Sequence, residues 1–515
     1  MRCPMSTPDF PFWADDFKRD YRRLHGPSHA SVHQLERLCS PWILATLLAQ
    51  QADNAFSRTR QWTLRLTFWS FLWQVAQVGS SCRDAVRQAI ALCASQGLPA
   101  PSDEDSAYCT ARAKLPIQRL DQIHQQLVQQ GQERVARGEL WCGRRVRVLD
   151  GTCVTMADTP SNQAVFPQAS VQKPGCGFPV CRILASFCLA TGMILHWITG
   201  HWYQHELSLL AGLLECCTAG EVLLGDRGFG NFPVLAQCLA RNLDGVFRAN
   251  TAKRRLDFRQ GKRLGKDDRQ VVWHRGPKPR YMSAGQWSRL PEQITVRELR
   301  VRLRESGFRT RSVLLVTTLL DPVTYPPGVL ASLYRRRWEM ELCFRHLKTT
   351  LQMEHLRCKS PPMVDRELRM HFLSHNLVRR MGLEAARRHR VPVSRISFAG
   401  ALGAAHTFAE ACLRARGRNA QEHIRERLYQ LLAGDLVPER PGRREPRAVK
   451  RRPKPYPLLN AHRREYREIL HRNKYRRSGK SPAFQECTGG QPTRPMAPRL
   501  RHPIAARSST HDEHA

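Results

Sequence analysis

The order of apolar segments between residues 146 and 248 constrains the fold more than any other feature of this sequence. Strands are predicted from β-branched apolar runs, and helices from apolar residues at helical spacing. In chain order, the segments are strands at 146–150, 180–189 and 193–198, a helix at 205–217, a strand at 221–226, a helix at 232–241 and a strand at 245–248. This β-β-β-α-β-α-β order predicts an α/β fold with a mixed sheet.

Two of the predicted strands end in an aspartate. Asp150 closes the first strand and is followed by Gly151, and Asp226 closes the fourth and is followed by Arg227 and Gly228. Ligands gather beyond the carboxyl ends of strands in open α/β sheets, and glycine leaves room for a metal ion or a phosphate. Taken singly, an aspartate at a strand end is more typical of a turn. The pair becomes informative only together with a third carboxylate.

That third carboxylate lies in a basic segment at 334–348, where apolar residues recur at helical spacing. Four polar side chains fall within about 60° of each other around the helix axis; they are Tyr334, Arg337, Glu341 and Lys348. Glu339 is expected on the far side, facing solvent. One edge of this helix therefore suits a site for a metal ion and phosphates. An ordinary basic helix with solvated charges is the alternative.

Carboxylates from two strands and one helix together predict a nucleotidyl-transfer centre at Asp150, Asp226 and Glu341. Oxygen ligands of this type hold Mg²⁺ or Mn²⁺ rather than Zn²⁺. Two such ions, about 3.5–4 Å apart, can activate a water or a DNA 3′-hydroxyl and stabilise the leaving oxygen. Neighbouring Arg and Lys side chains would then hold the polyanionic substrate.

A zinc site at His201, His205 and Glu206 is the weaker alternative for a metal centre. These residues lack the H-E-x-x-H order, and no third ligand is evident. We interpret them instead as the start of a helix with a favourable acidic residue in its first turn.

The charge of the chain predicts a polyanionic partner. Lys and Arg number 82 against 44 Asp and Glu, which gives a net charge of +38. Such an excess favours binding to nucleic acid. No secretory signal opens the chain, and no early apolar run is long enough to span a bilayer. We therefore expect a cytoplasmic protein, associated with the chromosome and not with a membrane.

A chain of 515 residues is expected to form two to four domains. Composition and pattern divide it into 1–30, a disordered or irregular N-terminus; 31–135, a helical domain that binds DNA or serves dimerisation or packing; 140–250, the first part of the catalytic core; 251–310, a β-rich basic insertion; 311–433, the completion of the core with the catalytic helix and C-terminal helices; and 434–515, a disordered basic tail rich in Pro and Arg.

These motifs resemble those of a known family. D-G-T at 150–152, D-R-G-F at 226–229 and Y-x2-R-x3-E-x6-K at 334–348 are similar to the motifs of the bacterial insertion-sequence-four family of DDE transposases. The last pattern is specific, because four residue types at fixed spacing rarely coincide. The resemblance covers 146–348 firmly and the N-terminal helices loosely, and it does not extend to the tail.

The resemblance implies a ribonuclease-H-like core interrupted by the insertion. It implies that Asp150, Asp226 and Glu341 bind two Mg²⁺ ions, with Mn²⁺ as a substitute. Contacts with DNA are implied for Tyr334, Arg337 and Lys348, and we add the neighbouring Arg227 and Arg345. A tryptophan of the insertion would stack on a flipped base, and Trp273 and Trp287 are candidates.

A homodimer acting on double-stranded DNA is also implied. It would cut at the terminal inverted repeats of an insertion sequence and join the 3′-hydroxyl ends to target DNA. Two alternatives stay open at this stage: a metal-dependent nuclease of the same core that does not join strands, and a DNA-binding repressor with a decayed site.

Overall fold

The computed structural model describes residues 33–49, 61–251, 256–302, 312–438, 461–462, 465–469 and 474–477. The chain divides into two compact units, Met1–Pro453 and Lys454–Ala515. Within the second unit, the short strands Tyr466–Ile469 and Lys474–Arg477 pair antiparallel, where the sequence predicts a disordered tail. The predicted irregular segment at 1–30 and most of the predicted tail lie outside the described residues.

The first unit begins with helices, as the pattern before residue 130 predicts. They are α1 (Gln34–Cys39), α2 (Leu64–Ala76), α3 (Cys82–Ser95), α4 (Asp105–Ala113) and α5 (Ile117–Glu133), with a 3-10 turn at Ala45–Leu48. Polar caps fix several starts: the Thr63 side chain accepts a hydrogen bond from the Leu66 amide, and Ser81 forms a capping box with Asp84.

The sheet has ten strands, namely β1 (Val146–Met156), β2 (Val180–Cys188), β3 (Ile194–His201), β4 (Val222–Gly225), β5 (Asp244–Arg248), β6 (Lys262–Gly265), β7 (Asp268–His274), β8 (Gln293–Arg302), β9 (Ser312–Thr317) and β10 (His355–Leu356). Their order is β3-β2-β1-β4-β5-β9-β8-β7-β6, and β10 also pairs with β1. Strands β1, β2 and β3 are antiparallel neighbours, whereas β4 and β5 run parallel to β1. The fold is therefore mixed α/β, and the strands of the predicted insertion extend the same sheet.

The remaining helices are α6 (Pro160–Val165), α7 (Glu206–Leu214), α8 (Phe232–Leu239), α9 (Ala284–Ser288), α10 (Pro327–Arg345), α11 (Pro361–His389), α12 (Phe398–Arg414) and α13 (Gly417–Gly434). None of the helices among the described residues is long and apolar enough to cross a membrane.

The two faces of the sheet are covered by different helices. Val148 and Leu224 belong to a hydrophobic cluster with residues of α10, α11 and the N-terminal helices. Leu149 and Leu223, each adjacent in sequence to one of these residues, belong to a second cluster with residues of α7 and α8. Because side chains alternate along a strand, each residue of β1 and β4 can be assigned to one face.

Two boundaries differ from the sequence prediction and both concern the site. Strand β1 continues six residues past Asp150 to Met156, because it stays paired with β2 as far as Thr155 and Val180. Asp150 therefore lies within β1, at the level where its neighbour β4 ends. Helix α10 ends at Arg345, and a π-helical turn, His346–Thr350, carries Lys348. Such π turns occur frequently at functional sites.

Candidate active site

The register of β1 and β4 brings the two aspartates to the same level of the sheet. Val148 is the partner of Leu224 in the parallel pair. Asp226 follows Leu224 by two residues and lies one residue beyond the end of β4. Asp150 follows Val148 by two residues within β1, so its side chain points to the same face as that of Val148. That face is the one covered by α10, since Val148, Leu224 and the α10 residue Leu333 share a hydrophobic cluster. Asp150 interacts electrostatically with Arg337, and Asp226 with Tyr334, so both carboxylates lie near α10, the helix that bears the third.

Helix α10 contacts β1, β4 and β5. It presents Arg337 and Glu341 on neighbouring turns, and the Arg337 Nη2 atom donates a hydrogen bond of 2.9 Å to Glu341 Oε1. The Arg337 side chain is 12% exposed and the Glu341 side chain 51%. The cation is thus largely covered by protein, while its carboxylate partner is open to solvent.

Asp150 occupies a partly buried position with unusual electrostatics. Burial raises the pKa of its carboxyl to about 6, against the lowering effects of the Gly151 amide and the Arg337 guanidinium. The charges of Asp226 and Glu206 raise the pKa of Asp150 further. Asp226 itself is exposed, and its Oδ1 accepts a 2.7 Å hydrogen bond from the Gly228 amide. The two aspartates are therefore close enough to repel each other, which a cation between them would relieve.

Glu206 is a fourth carboxylate at this place, and sequence reasoning does not assign it to the centre. A methyl group built on Gly151 would collide with the Glu206 carboxylate, so a side chain at this position would displace that carboxylate. Burial and the charge of Asp226 raise the pKa of Glu206. Glu206 does begin α7, as the helix-start interpretation predicts, and the His205 side chain caps that helix. The only signal in the sequence is the glycine after Asp150.

The donors suit a hard divalent cation by their chemistry but are not assembled around one position. Among the described residues, no group of three or more His, Cys, Asp or Glu side chains is placed to hold a metal ion. Asp150 and Asp226 interact through their charges, whereas Glu341 is turned to Arg337. The chain in this conformation therefore lacks a complete cation site, although all three predicted carboxylates lie at one edge of the sheet.

Tyr334 does not present its hydroxyl to solvent. The residue is 2% exposed, and its ring meets that of Trp338 edge-on at 6.0 Å. The Arg337 guanidinium carbon lies 5.9 Å from the centre of the Tyr334 ring and 5.2 Å from that of Trp338. These two rings therefore pack against the guanidinium.

The other predicted DNA contacts are cations on the surface around the carboxylates. Arg227 and Arg345 are exposed and form no ion pair with other described residues. The Lys348 Nζ atom lies 3.9 Å from Glu354 Oε1. Each of these cations can reach a phosphate without first breaking a buried interaction.

Glu339 is half-buried rather than fully solvent-facing. Its Oε1 accepts a 3.2 Å hydrogen bond from Arg336 Nε, and Arg336 also donates to the Leu189 carbonyl. The helix packs its far side close to the loop after β2, which the helical spacing alone does not reveal.

The two candidate tryptophans differ in accessibility. Trp273 is 3% exposed and donates a 2.7 Å hydrogen bond to Glu298 Oε1, so it belongs to the core. Trp287 is half-buried, 6.4 Å from the Phe232 ring and 5.8 Å from the Arg275 guanidinium. A base-stacking role for Trp273 would require the core to open.

Comparisons with known proteins agree with the motifs. Residues 141–377 match the family model described as a transposase DDE domain. The chain is 28% identical over 324 residues to the transposase InsG for insertion sequence element IS4 of Escherichia coli strain K12, covering 62% of this chain and 70% of that protein. It is also 28% identical over 174 residues to the putative transposase InsL for insertion sequence element IS186A of the same strain, of which it spans about half (47%).

A solved structure, the piggyBac transposase synaptic complex with hairpin DNA, is similar with a TM-score of 0.38 and 11% identity, over 81% of this chain and 85% of that one. The match to the family model falls on the segment that carries the three carboxylates. In this segment the chain is therefore similar to the DDE transposases, among them the transposase of insertion sequence element IS4.

Proposed function

We propose that this DNA transposase cuts at the terminal inverted repeats of an insertion sequence and joins the 3′-hydroxyl ends to target DNA, with Asp150, Asp226 and Glu341 as its catalytic carboxylates. The observation that supports this proposal is the register of β1 and β4: Asp150 lies on the face covered by α10, level with the end of β4, where Asp226 follows. We also propose a ribonuclease-H-like core. The strand order β3-β2-β1-β4-β5, with β4 and β5 parallel to β1, supports it.

We propose Mg²⁺ as the cofactor, two ions per site, with Mn²⁺ as a substitute. Bound between the carboxylates, such ions would activate the attacking oxygen and stabilise the leaving oxygen of an in-line displacement. The chain contributes the negative charge that attracts them: Asp150 lies beside Asp226 and Glu206, and their mutual repulsion favours a bound cation.

The basic groups around the carboxylates would hold the DNA backbone. Arg337, Lys348, Arg227 and Arg345 are the proposed phosphate contacts, because Arg and Lys pair with phosphate through charge-assisted hydrogen bonds. Direct contact by Tyr334 would require its buried hydroxyl to be uncovered. We assign Tyr334 first to supporting the Arg337 guanidinium, which its ring contacts.

The proposed partner is double-stranded DNA, at both transposon ends and target, and the proposed assembly is a homodimer on paired ends in the bacterial cytoplasm. The net charge of +38 supports a polyanionic partner. The likeness to the IS4 transposase suggests that the DNA is an insertion sequence.

The test uses duplexes that carry the inverted repeats flanking the gene. In Mg²⁺, Asp150→Asn, Asp226→Asn and Glu341→Gln should each reduce cleavage by at least about 1,000-fold, because losing a cation ligand removes several kcal/mol of transition-state stabilisation. Binding of the same duplex in EDTA should persist. Glu339→Gln, on the same helix, is the matched control and should cleave normally.

Cleavage at the wild-type rate by any one of the three variants would remove that residue from the centre. A second assay with pre-cut ends follows the joining step. Joined products are expected from the wild-type protein, whereas cleavage without joining would indicate a nuclease.

A further inference from the structure

Glu341, the third carboxylate of the proposed catalytic centre, is engaged in an ion pair with Arg337. Among the described residues no three acidic side chains are placed to hold an ion, and Glu341 is hydrogen-bonded to Arg337. The pair spans one helical turn, and its carboxylate is half-exposed. Ion pairs at this spacing whose carboxylate is open to solvent contribute little. The contact can therefore be exchanged for a stronger one.

The Arg337 guanidinium is not saturated by Glu341. Its Nε is buried and has no hydrogen-bond partner among the described residues. Only one donor, Nη2, reaches the carboxylate. A guanidinium offers a planar fork of donors that matches phosphate, and a bidentate contact would satisfy more of them. The flanking rings of Tyr334 and Trp338 keep the group in position for such a contact.

We infer that Arg337 exchanges partners: it holds Glu341 away from Asp150 and Asp226 in the free protein, and a backbone phosphate of the transposon end takes its place and releases Glu341. DNA binding would then complete the catalytic carboxylate set. The inference rests on the proposed function, since it needs Arg337 to contact phosphate and Glu341 to act with the aspartates. It makes Arg337 a positioning residue as well as a DNA contact.

A second pair on the same helix provides the control. Arg336 and Glu339 are joined by a 3.2 Å hydrogen bond, and the Arg336 guanidinium also donates to the Leu189 carbonyl. Glu339→Gln removes the same charge from the same helix as Glu341→Gln. It should not release Arg337.

The experiment measures the affinity for a duplex transposon end in EDTA, so that no cation contributes. Glu341→Gln should bind roughly two- to fivefold more tightly than Glu339→Gln, the range expected when one exposed ion pair no longer competes. In an Arg337→Gln background this difference should vanish. Circular dichroism and thermal unfolding confirm that each variant is folded.

Equal affinities of the two glutamate variants would overturn the inference, as would an advantage that persists without Arg337, since simple repulsion between Glu341 and DNA would then explain it. Two failures are distinguishable. If Arg337→Gln leaves the affinity of the wild-type protein unchanged, the proposed phosphate contact itself is wrong. If Arg337→Gln weakens binding but Glu341→Gln gives no advantage, the contact stands and only the exchange is wrong.

Discussion

Two arginine–carboxylate pairs in this protein differ in how completely they are satisfied. Arg297 on β8 and Asp268 on β7 are 0% and 3% exposed at their side chains and share two hydrogen bonds, of 2.8 and 2.6 Å. Arg297 also donates to the Tyr325 carbonyl at 2.7 Å. Arg337, in contrast, makes one bond to a half-exposed carboxylate and keeps a buried Nε without a partner among the described residues.

This difference in hydrogen bonding and exposure indicates that the Arg297–Asp268 pair is structural, whereas the Arg337–Glu341 pair can be broken at low cost. A buried pair in which all three guanidinium nitrogens are hydrogen-bonded is costly to break, because either partner alone would be a desolvated charge. A single bond to an exposed carboxylate costs little to lose. The first pair therefore fixes the part of the sheet formed by β7 and β8, and the second is the pair that we propose to exchange partners.

The largest effect on stability is expected from breaking the buried pair. Arg297→Met leaves Asp268 buried without its cation and should lower the free energy of unfolding by about 3–5 kcal/mol. Arg337→Met should lower it by about 1 kcal/mol or less. Urea denaturation followed by circular dichroism measures both variants. Similar losses for the two would show that the pairs do not differ as described.

A smaller effect on stability is expected from a buried histidine, and this effect depends on pH. His371 on α11 is 5% exposed, and burial, aided by Arg357, lowers its pKa from 6.5 to about 3. The folded protein therefore keeps His371 neutral while the unfolded chain takes up a proton below about pH 6.5, so stability falls as the pH drops. At pH 5 this costs about 2 kcal/mol.

His371→Leu should flatten the pH dependence of the unfolding free energy between pH 7 and 5 by that amount. An unchanged slope between the two proteins would mean that His371 is not held neutral by burial.

The smallest effect on stability is expected from replacing Asp150, one of the three predicted catalytic carboxylates. Burial raises the pKa of Asp150 from 3.8 to about 6, so its charge destabilises the folded protein once the pH rises above the unfolded value. Because the residue is only partly buried, Asp150→Asn should stabilise the cation-free protein at pH 8 by on the order of 1–2 kcal/mol. Thermal unfolding in EDTA measures this gain, and the gain should disappear near pH 4. A destabilised Asp150→Asn protein at pH 8 would contradict the electrostatics described here.

Much of this architecture is readable from local patterns. The strand at 180–189 and the helices at 205–217 and 232–241 are found within a few residues of their predicted bounds, because each has a clear apolar period. The three carboxylates also stand out, since glycines and fixed spacings surround them. These features depend on residues close together in the chain.

What the sequence could not give depends on distant partners. Strand β1 extends beyond Asp150 because β2 continues to pair with it. Glu206 reaches the centre only through the packing of α7 against the glycine after Asp150. The hydrogen bond between Arg337 and Glu341 is compatible with their i, i+4 spacing in a helix. That it leaves the carboxylate set incomplete follows only from the placement of α10 over the sheet.

The central claim is that Asp150, Asp226 and Glu341 converge on bound cations when a transposon end is present. Anomalous diffraction from crystals of the end complex with Mn²⁺ tests it directly. We predict Mn²⁺ between Asp150 and Asp226, with a Glu341 oxygen coordinated to a Mn²⁺ ion and Arg337 on a phosphate. Ordered end DNA with Glu341 still bound to Arg337, or with Mn²⁺ held away from the two aspartates, would contradict it.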